Sequence, residues 1–178
     1  MKHADDVLDF WFGLTHTDWF QGSKELDAQI RDKFSATHDA VARGETFGWR
    51  ATPEGRLAEV IVLDQFSRNI FRGSSQAFAY DGMALVLSQE AVAQKVDTKL
   101  EGPRRTFLYM PYMHSESLVV HEEAMRLFTV LGDENALKFE RIHIDTIRRF
   151  GRYPRRNEAL GRTSTAEELE YMKSGGQF

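Results

Sequence analysis

Apolar residues in this chain recur at intervals of three and four positions and almost never alternate with polar ones, as strands require. Helix boundary signals accompany this pattern. Thr52 followed by Pro53 is typical of a helix start, whereas Gly132, Gly151 and Gly161 are typical of helix ends. The sequence therefore predicts an all-α fold. Because the connections are short, we expect antiparallel helical hairpins.

The periodicity also places the individual helices. Ser164 and Glu167 are expected to form a capping box on the last of them. Trp19 and Phe20 are expected to pack in an ordered loop. The predicted helices are a short aromatic helix that ends at Gly13, then Ser23 (N-cap) to Gly44, Thr52 (N-cap) through Phe66, Gln76 to about Gln94, Pro111 to Leu131, Glu134 to Phe150, and Thr165 to Lys173.

Composition limits the class of protein. The 178 residues are 42% hydrophobic and 28% charged, which is typical of one soluble globular domain, here 1–178 with a flexible tail at about 174–178. No cysteine is present, so disulfides and thiolate chemistry are excluded. No apolar run approaches a membrane span, and a net charge of -4 argues against nucleic acid as a partner. These features favour a cytoplasmic protein.

The third predicted helix holds the first candidate site residues. Its segment Leu57–Phe66 has little polar surface, so we expect it at the buried centre of the bundle. Asp64 lies on that buried side and needs a partner, which Arg68 supplies by i to i+4 geometry. A pair that only fixes packing is at least as well supported as a functional one, and Asn69 at the helix end also suits a capping role.

Three histidines lie on the apolar faces of two later helices. His114 and His121 share one stripe of the Pro111–Leu131 helix, and His143 lies on the stripe of the next helix. A single inward histidine is most often a satisfied core residue. Three on adjacent helices favour a metal site, an acid/base pair or a polar network.

Metal and cofactor motifs argue against the first of these. The run from His121 resembles the zinc helix H-E-x-x-H only until Met125, which stands where the second ligand belongs. His114 and His121 would lie roughly 10 Å apart along one helix, too far to share an ion. Dinucleotide, phosphate-loop and nucleophile-elbow motifs are also missing. We therefore expect neither a metal nor a cofactor.

An arginine segment at 148–156 contrasts with the acidic chain. Arg148 and Arg149 end a helix, where cations interact favourably with its dipole, and Asp145 can pair with either. Arg152, Arg155 and Arg156 follow in a turn whose only acidic neighbour in sequence is Glu158. Arginine outnumbers lysine sixteen to seven, which suits recognition of carboxylate or phosphate. The segment is therefore interpreted as the rim of an anion pocket.

These residues resemble a known family. LDQFSRNIFRG (63–73), PYMHSE (111–116) and RRFGRYPRRNEALGRTSTAEE (148–168) are similar to signature blocks of the bacterial domain of unknown function 924, as are VLDFWFG and RLAEVIVLDQF. The resemblance covers nearly the whole chain and implies a tetratricopeptide-like helical array. It implies no biochemical activity.

The family pattern also selects individual positions. Two positions depart from it, His121, where glutamine is common, and Arg155, where histidine is common, and both departures count against essential catalytic roles. The matching positions are Asp64, Gln65, Arg68, Asn69, His114, Ser115, Glu116, Phe150, Gly151, Arg152, Pro154, Asn157 and Gly161.

Three functions follow, and the sequence leaves the choice open. We favour a binding module for a small anionic molecule or a peptide carboxylate, with a pocket lined by the candidates Arg68, Asn69, Arg148, Arg152, Arg156 and Asn157. The alternative is an enzyme that uses a histidine and a carboxylate for acid/base catalysis, with the candidates His114, His143, Asp64 and Glu116. A third interpretation is a protein-interaction scaffold whose polar motifs are structural. The sequence does not define the oligomeric state.

Overall fold

The computed structural model describes residues 1–178, and its regular structure is entirely helical, which confirms the predicted fold class. None of the helices combines the length and apolarity needed to cross a bilayer. The α-helices are α1 (Ala4–Phe12), α2 (His16–Gln21), α3 (Lys24–Ala42), α4 (Pro53–Ile61), α5 (Ser67–Ile70), α6 (Asp81–Ala93), α7 (Pro103–Met113), α8 (Leu118–Leu131), α9 (Glu134–Phe150) and α10 (Ala166–Lys173).

The chain groups into two compact units. The first comprises Met1–Arg72 and Gln76–Pro111, and the second comprises Gly73–Ser75 and Tyr112–Phe178. The single-domain organisation expected from the length stays a prediction.

Helix α4 forms the centre of the first unit, as its apolar sequence predicts. The hydroxyl of Thr52 accepts the Gly55 N–H at its start, and Pro53 occupies its first position. The helix continues through one π-helical turn, Val62–Phe66, into α5. Its apolar side chains, which contact α1, α3 and α6 through this stretch, are completely buried at Leu57, Ile61, Val62, Leu63 and Phe66. The π-helical turn was not predicted, because the run Val60-Ile61-Val62-Leu63 is apolar at every position and so hides a one-residue change in the helical period.

The aromatic stretch after α1 is helical, so the expected loop at Trp19 and Phe20 is wrong. Both residues lie in α2, which starts with a capping box between Thr15 and Asp18. The indole N–H of Trp19 donates to the carbonyl of Trp11 at 2.8 Å. Local capping and this tertiary bond make a six-residue helix stable where its short apolar pattern gave no clear period.

Two helices replace the single one predicted over Pro111–Leu131. Helix α7 ends at Met113 and α8 begins at Leu118. Pro111 lies in the last turn of α7, although proline is commonest in the first turn. The start of α7 is at Pro103, directly after Gly102, whose φ of 52° suits glycine. His114 therefore does not lie on the helix that carries His121, and the predicted common stripe is wrong.

Helices α8 and α9 pack against each other as a hairpin in the second unit. Gly132 ends α8 with a φ of 75°, and the Asp133 carboxylate caps α9 by accepting the Asn135 and Ala136 N–H groups. Gly151 ends α9 with a φ of 70°. These boundaries confirm the helix ends predicted at Gly132 and Gly151, whereas Gly161 lies in a turn and ends no helix.

The capping box of α10 lies one residue later than predicted. Thr165 and Glu168 form it, instead of Ser164 and Glu167. The register is decided by tertiary contacts, because Glu168 is buried whereas Glu167 is exposed. A carboxylate that pairs with a distant arginine fixes the helix start more strongly than the local motif alone.

Candidate functional site

A buried pair between α8 and α9 forms the centre of the polar cluster in the second unit. His121 Nδ1 lies 2.6 Å from Glu140 Oε1, and both side chains have no exposed surface. Burial raises the pKa of Glu140 above its usual range, although the hydrogen bond to His121 opposes this. The second carboxyl oxygen of Glu140 has no hydrogen-bond partner.

The surroundings of His121 define where its protons lie. Its Nε2 is 2.8 Å from the Ser115 carbonyl, which can only accept, so Nε2 carries a proton. The Tyr153 hydroxyl, 3.0 Å from the same nitrogen, donates its own proton to the Met113 carbonyl at 2.7 Å. One proton is therefore shared between Nδ1 and Glu140. A protonated carboxyl group beside a neutral imidazole fits best, because an unpartnered carboxylate oxygen would be costly in this dry interior.

His143 on α9 is also held in the neutral form. Its Nδ1–H donates to the Phe139 carbonyl at 2.8 Å, which leaves Nε2 as the unprotonated nitrogen. The residue is 6% exposed. Burial and then the nearby His114 lower its pKa from 6.5 to about 3. The histidine predicted to face inward does so, but it is not a base poised near neutral pH.

His114 lies in the link between α7 and α8 and is half-buried. Its ring centroid is 6.2 Å from that of His143. Its backbone carbonyl accepts from Nη2 of Arg156 at 2.8 Å, and the Arg156 guanidinium lies 4.7 Å from the centre of the Tyr153 ring. Two of the predicted catalytic histidines and one predicted ligand-binding arginine are thus brought together.

Glu116, in the same link, is ionised and paired. Its two oxygens accept from Arg162 at 2.8 Å each, and Oε1 also accepts the Tyr153 N–H at 2.8 Å. Burial alone would raise its pKa, but the hydrogen bonds from Arg162 and Tyr153 hold the pKa below its usual value. These bonds hold Glu116 in the non-helical link, which explains why the predicted continuous helix breaks at this point.

Arg152, one of the three arginines for which the sequence offers only Glu158, pairs with Glu168. Its Nε and Nη2 donate to the carboxylate at 2.6 and 2.9 Å, and Nη2 also donates to the Thr163 carbonyl at 2.9 Å. The Arg152 bonds, with the Thr165 N–H and the Asn157 amide, lower the pKa of Glu168 to about 2. Glu158, the acidic neighbour in sequence, is not the partner of Arg152, because the fold brings in a carboxylate sixteen residues away.

The other arginines of the segment also have partners. Arg148 pairs with Asp145 at 3.1 Å, as the sequence predicts, and Arg149 pairs with Glu167 at 2.8 Å. Arg155 donates through Nε to the Gly176 carbonyl at 2.7 Å. The segment therefore has less unpaired positive charge than its sequence indicates.

Three predicted site residues belong to the first unit. Asp64 is fully buried, 3.3 Å from the Arg68 guanidinium, which also makes two 3.1 Å bonds to Asp81. Asn69 donates to the Asp27 carboxylate at 2.8 Å, and Arg72 pairs with the same carboxylate at 2.6 Å. The predicted i to i+4 ion pair between Asp64 and Arg68 is confirmed, and a functional role for it stays a prediction.

Four polar residues of the second unit were not predicted as site residues. Glu140 precedes Ile144 and Ile147 by four and seven positions, a spacing that places it on the buried face of α9 and could have identified it. Tyr153 and Arg162 are paired with residues distant in sequence, so no local signal identifies them. Glu168 stands three residues after Thr165, a capping-box spacing that could have identified it. Asn157, which was predicted, is buried and donates to the Ser164 hydroxyl at 3.0 Å and to Glu168 at 3.3 Å. No group of three or more histidine, aspartate or glutamate side chains is placed to hold a metal ion.

Comparisons with known proteins agree with this description. The family described as "Bacterial protein of unknown function (DUF924)" matches residues 7–176. Among solved structures, a protein of unknown function from Agrobacterium tumefaciens is 35% identical, and the similarity covers 97% of each chain with a TM-score of 0.91. A search of curated proteins gives no significant match.

Proposed function

The chain belongs to the DUF924 family of bacterial proteins of unknown function, and on this premise we propose that its second unit binds a small anionic molecule or a peptide carboxylate. Two observations carry the proposal: Arg156 donates to the backbone carbonyl of His114 at 2.8 Å, and the His114 and His143 ring centroids lie 6.2 Å apart. A permanent cation and two imidazoles at this spacing offer charge-assisted hydrogen bonds to a carboxylate or phosphate.

Electrostatics at this site favour an anion. Arg156 and Arg162 bring two positive charges beside one ionised carboxylate, Glu116, while His143 is neutral. The positive neighbours are among the reasons why His143 does not protonate. An anion placed between the histidines and Arg156 would offset that repulsion and favour proton uptake by His143. Binding should therefore be tighter at mildly acidic pH than at neutral pH.

Acid/base catalysis is the second candidate function. Its support is the unprotonated Nε2 of His143 beside the half-buried His114. A base with a pKa of about 3 is weak at neutral pH, so the geometry supports binding better than proton abstraction by His143. The scaffold interpretation differs from both, because it predicts a loss of stability in His114→Gln with no ligand response at all.

Thermal shift measurements test the proposal. Sodium phosphate, sodium acetate, and one short peptide with either a free or an amidated carboxyl end are the probes, each applied to the wild type and to His114→Gln and Arg156→Gln. We expect a rise in Tm with at least one anion, and an affinity about tenfold lower in Arg156→Gln, since a charge-assisted bond is lost. His16→Gln, at an exposed position of the first unit, is the matched control. No stabilisation by any probe would contradict the proposal.

A further inference from the structure

The segment that follows α10 folds back toward His143. Gly175 has a φ of 93°, and the Gly176 N–H donates to the Tyr171 carbonyl at 2.9 Å. A Cβ atom at Gly176 would lie 2.4 Å from the Tyr171 ring, so only glycine allows this close approach. The Gly176 carbonyl then accepts from Arg155 Nε at 2.7 Å. The path of residues 174–178 is therefore defined by specific contacts.

Phe178, in this segment, covers the face of the His143 imidazole. The two ring centroids are 3.6 Å apart with an interplanar angle of 30°. The ring centroid of Tyr153 lies 6.4 Å from that of Phe178. Phe178 is only half-buried, whereas His143 is buried. The second unit thus has an aromatic surface at His143 and Tyr153, and the cationic Arg156 lies 4.7 Å from the centre of the Tyr153 ring.

We propose that the face of His143 is an aromatic subsite of the anion site, and that Phe178 occupies it in competition with a ligand carrying both an aromatic ring and a carboxylate. This inference rests on the proposed function and names its ligand class. The ring of such a ligand would stack on His143, and its carboxylate would be directed to His114 and Arg156.

The contacts that hold Phe178 favour exchange over permanent packing. Both partners of the Arg155–Gly176 hydrogen bond are accessible to solvent. Because Gly175 and Gly176 precede Phe178, release of Phe178 from His143 restores much backbone conformational freedom. A ligand that needs the open site binds with an affinity reduced by the fraction of molecules in which Phe178 is docked. Removing the Phe178 ring should therefore increase the affinity for an aryl carboxylate.

Isothermal titration with two probes tests this competition. N-acetyl-L-phenylalanine carries a ring and a carboxylate, whereas N-acetylglycine carries the carboxylate alone. We expect Phe178→Ala to bind the first probe about two- to tenfold more tightly than the wild type does, the range expected for one aromatic contact, with little change for the second probe. Phe47→Ala, at an aromatic position 70% exposed in the first unit, is the matched control. Arg155→Ala, which releases the segment without removing the ring, should change affinity in the same direction as Phe178→Ala, with Arg43→Ala as its control.

The outcomes separate this inference from the proposed function. If N-acetylglycine binds but Phe178→Ala and Phe47→Ala bind N-acetyl-L-phenylalanine equally, the aromatic subsite is wrong and the anion site stands. If Phe178→Ala improves both probes equally, the segment blocks the site without recognising a ring, which also overturns the inference. If neither probe binds any variant, the aromatic subsite is wrong, and the anion site stands only if phosphate or acetate raises the Tm in the thermal shift measurements. The contact itself is checked without a ligand, because Phe178→Ala should remove the ring-current shift of the His143 ring protons in NMR spectra.

Discussion

His121 Nδ1 and Glu140 Oε1 lie 2.6 Å apart in the second unit, and neither side chain has any exposed surface. The pair ties α8 to α9, and through Tyr153 it also ties both helices to the turn that follows α9. Because that turn carries Arg156, the buried pair positions the residues of the proposed anion site.

Substitution of Glu140 distinguishes a neutral pair from an ion pair. In Glu140→Gln, the amide N–H can donate to His121 Nδ1 as a protonated carboxyl group does, so we expect a loss of less than about 1 kcal/mol in the free energy of unfolding. Glu140→Ala removes the partner and leaves a cavity, and should cost about 3 kcal/mol or more. Urea denaturation of both variants measures the difference. Equal losses would show that the pair is ionised.

The low pKa of His143 predicts a pH dependence of stability. The unfolded chain takes up a proton at His143 as pH falls below about 6.5, whereas the folded protein does so only near pH 3. Lower pH therefore favours the unfolded state over this window, by up to about 1.4 kcal/mol per pH unit. In His143→Asn, which can keep the bond to the Phe139 carbonyl, this contribution should vanish.

The measurement is the difference in unfolding free energy between the wild type and His143→Asn from pH 7 down to about pH 4. Taking the difference removes the contributions of other groups, such as Glu140, whose raised pKa acts in the opposite direction. The wild type should lose stability relative to the variant as pH falls. A difference that does not change with pH would refute the neutral, buried state of His143.

Glu168 and Glu167 are adjacent on α10, but their substitution should have contrasting effects on the free energy of unfolding. Glu168→Gln weakens the bidentate bond from Arg152 and the capping bond from the Thr165 N–H, so it should cost about 1–3 kcal/mol. Glu167→Gln removes only a solvent-exposed pair with Arg149 and should change the unfolding free energy by less than about 0.5 kcal/mol. Thermal denaturation of the two variants is the comparison, and similar losses would contradict the assigned cap register.

Two glycines of the first unit test its packing. A Cβ atom at Gly55, at the start of α4, would lie 2.0 Å from the Trp49 carbonyl oxygen, so Gly55→Ala should cost about 2 kcal/mol or more. Gly82 in α6 has open space around it and ordinary helical backbone, so Gly82→Ala should be neutral or stabilise by about 0.5–1 kcal/mol. Denaturation midpoints that move together would contradict this packing of α4.

The sequence predicts helices well where paired start and stop signals frame a clear period. Thr52 with Pro53, and the glycines at 132 and 151, locate α4, α8 and α9 in this way. The prediction of one helix over Pro111–Leu131 was wrong, because a proline in the last turn of α7 was interpreted as a helix start. The apolar pattern also continues through the non-helical link. There, tertiary bonds to Glu116 determine the backbone, and no local pattern reports them.

The candidate site shows the same limit. The inward positions of His121 and His143 follow from helical spacing, so they could be predicted. The partners of Arg152 and Glu116 could not, because Glu168 and Arg162 are brought to them only by the turns after α9. The sequence therefore favoured Arg152 as the main candidate for anion binding, whereas the structure favours Arg156, which lies near both histidines.

We propose that an anion binds beside His114, His143 and Arg156 in the second unit. The most direct measurement is the protonation of the His143 ring, followed by nitrogen-15 NMR at about pH 5.5 during titration with sodium phosphate and with N-acetylglycine. We expect a saturable shift of the His143 nitrogens toward the imidazolium form, and a weaker shift in Arg156→Gln. Unchanged His143 nitrogen shifts at saturating concentrations of both anions would contradict it.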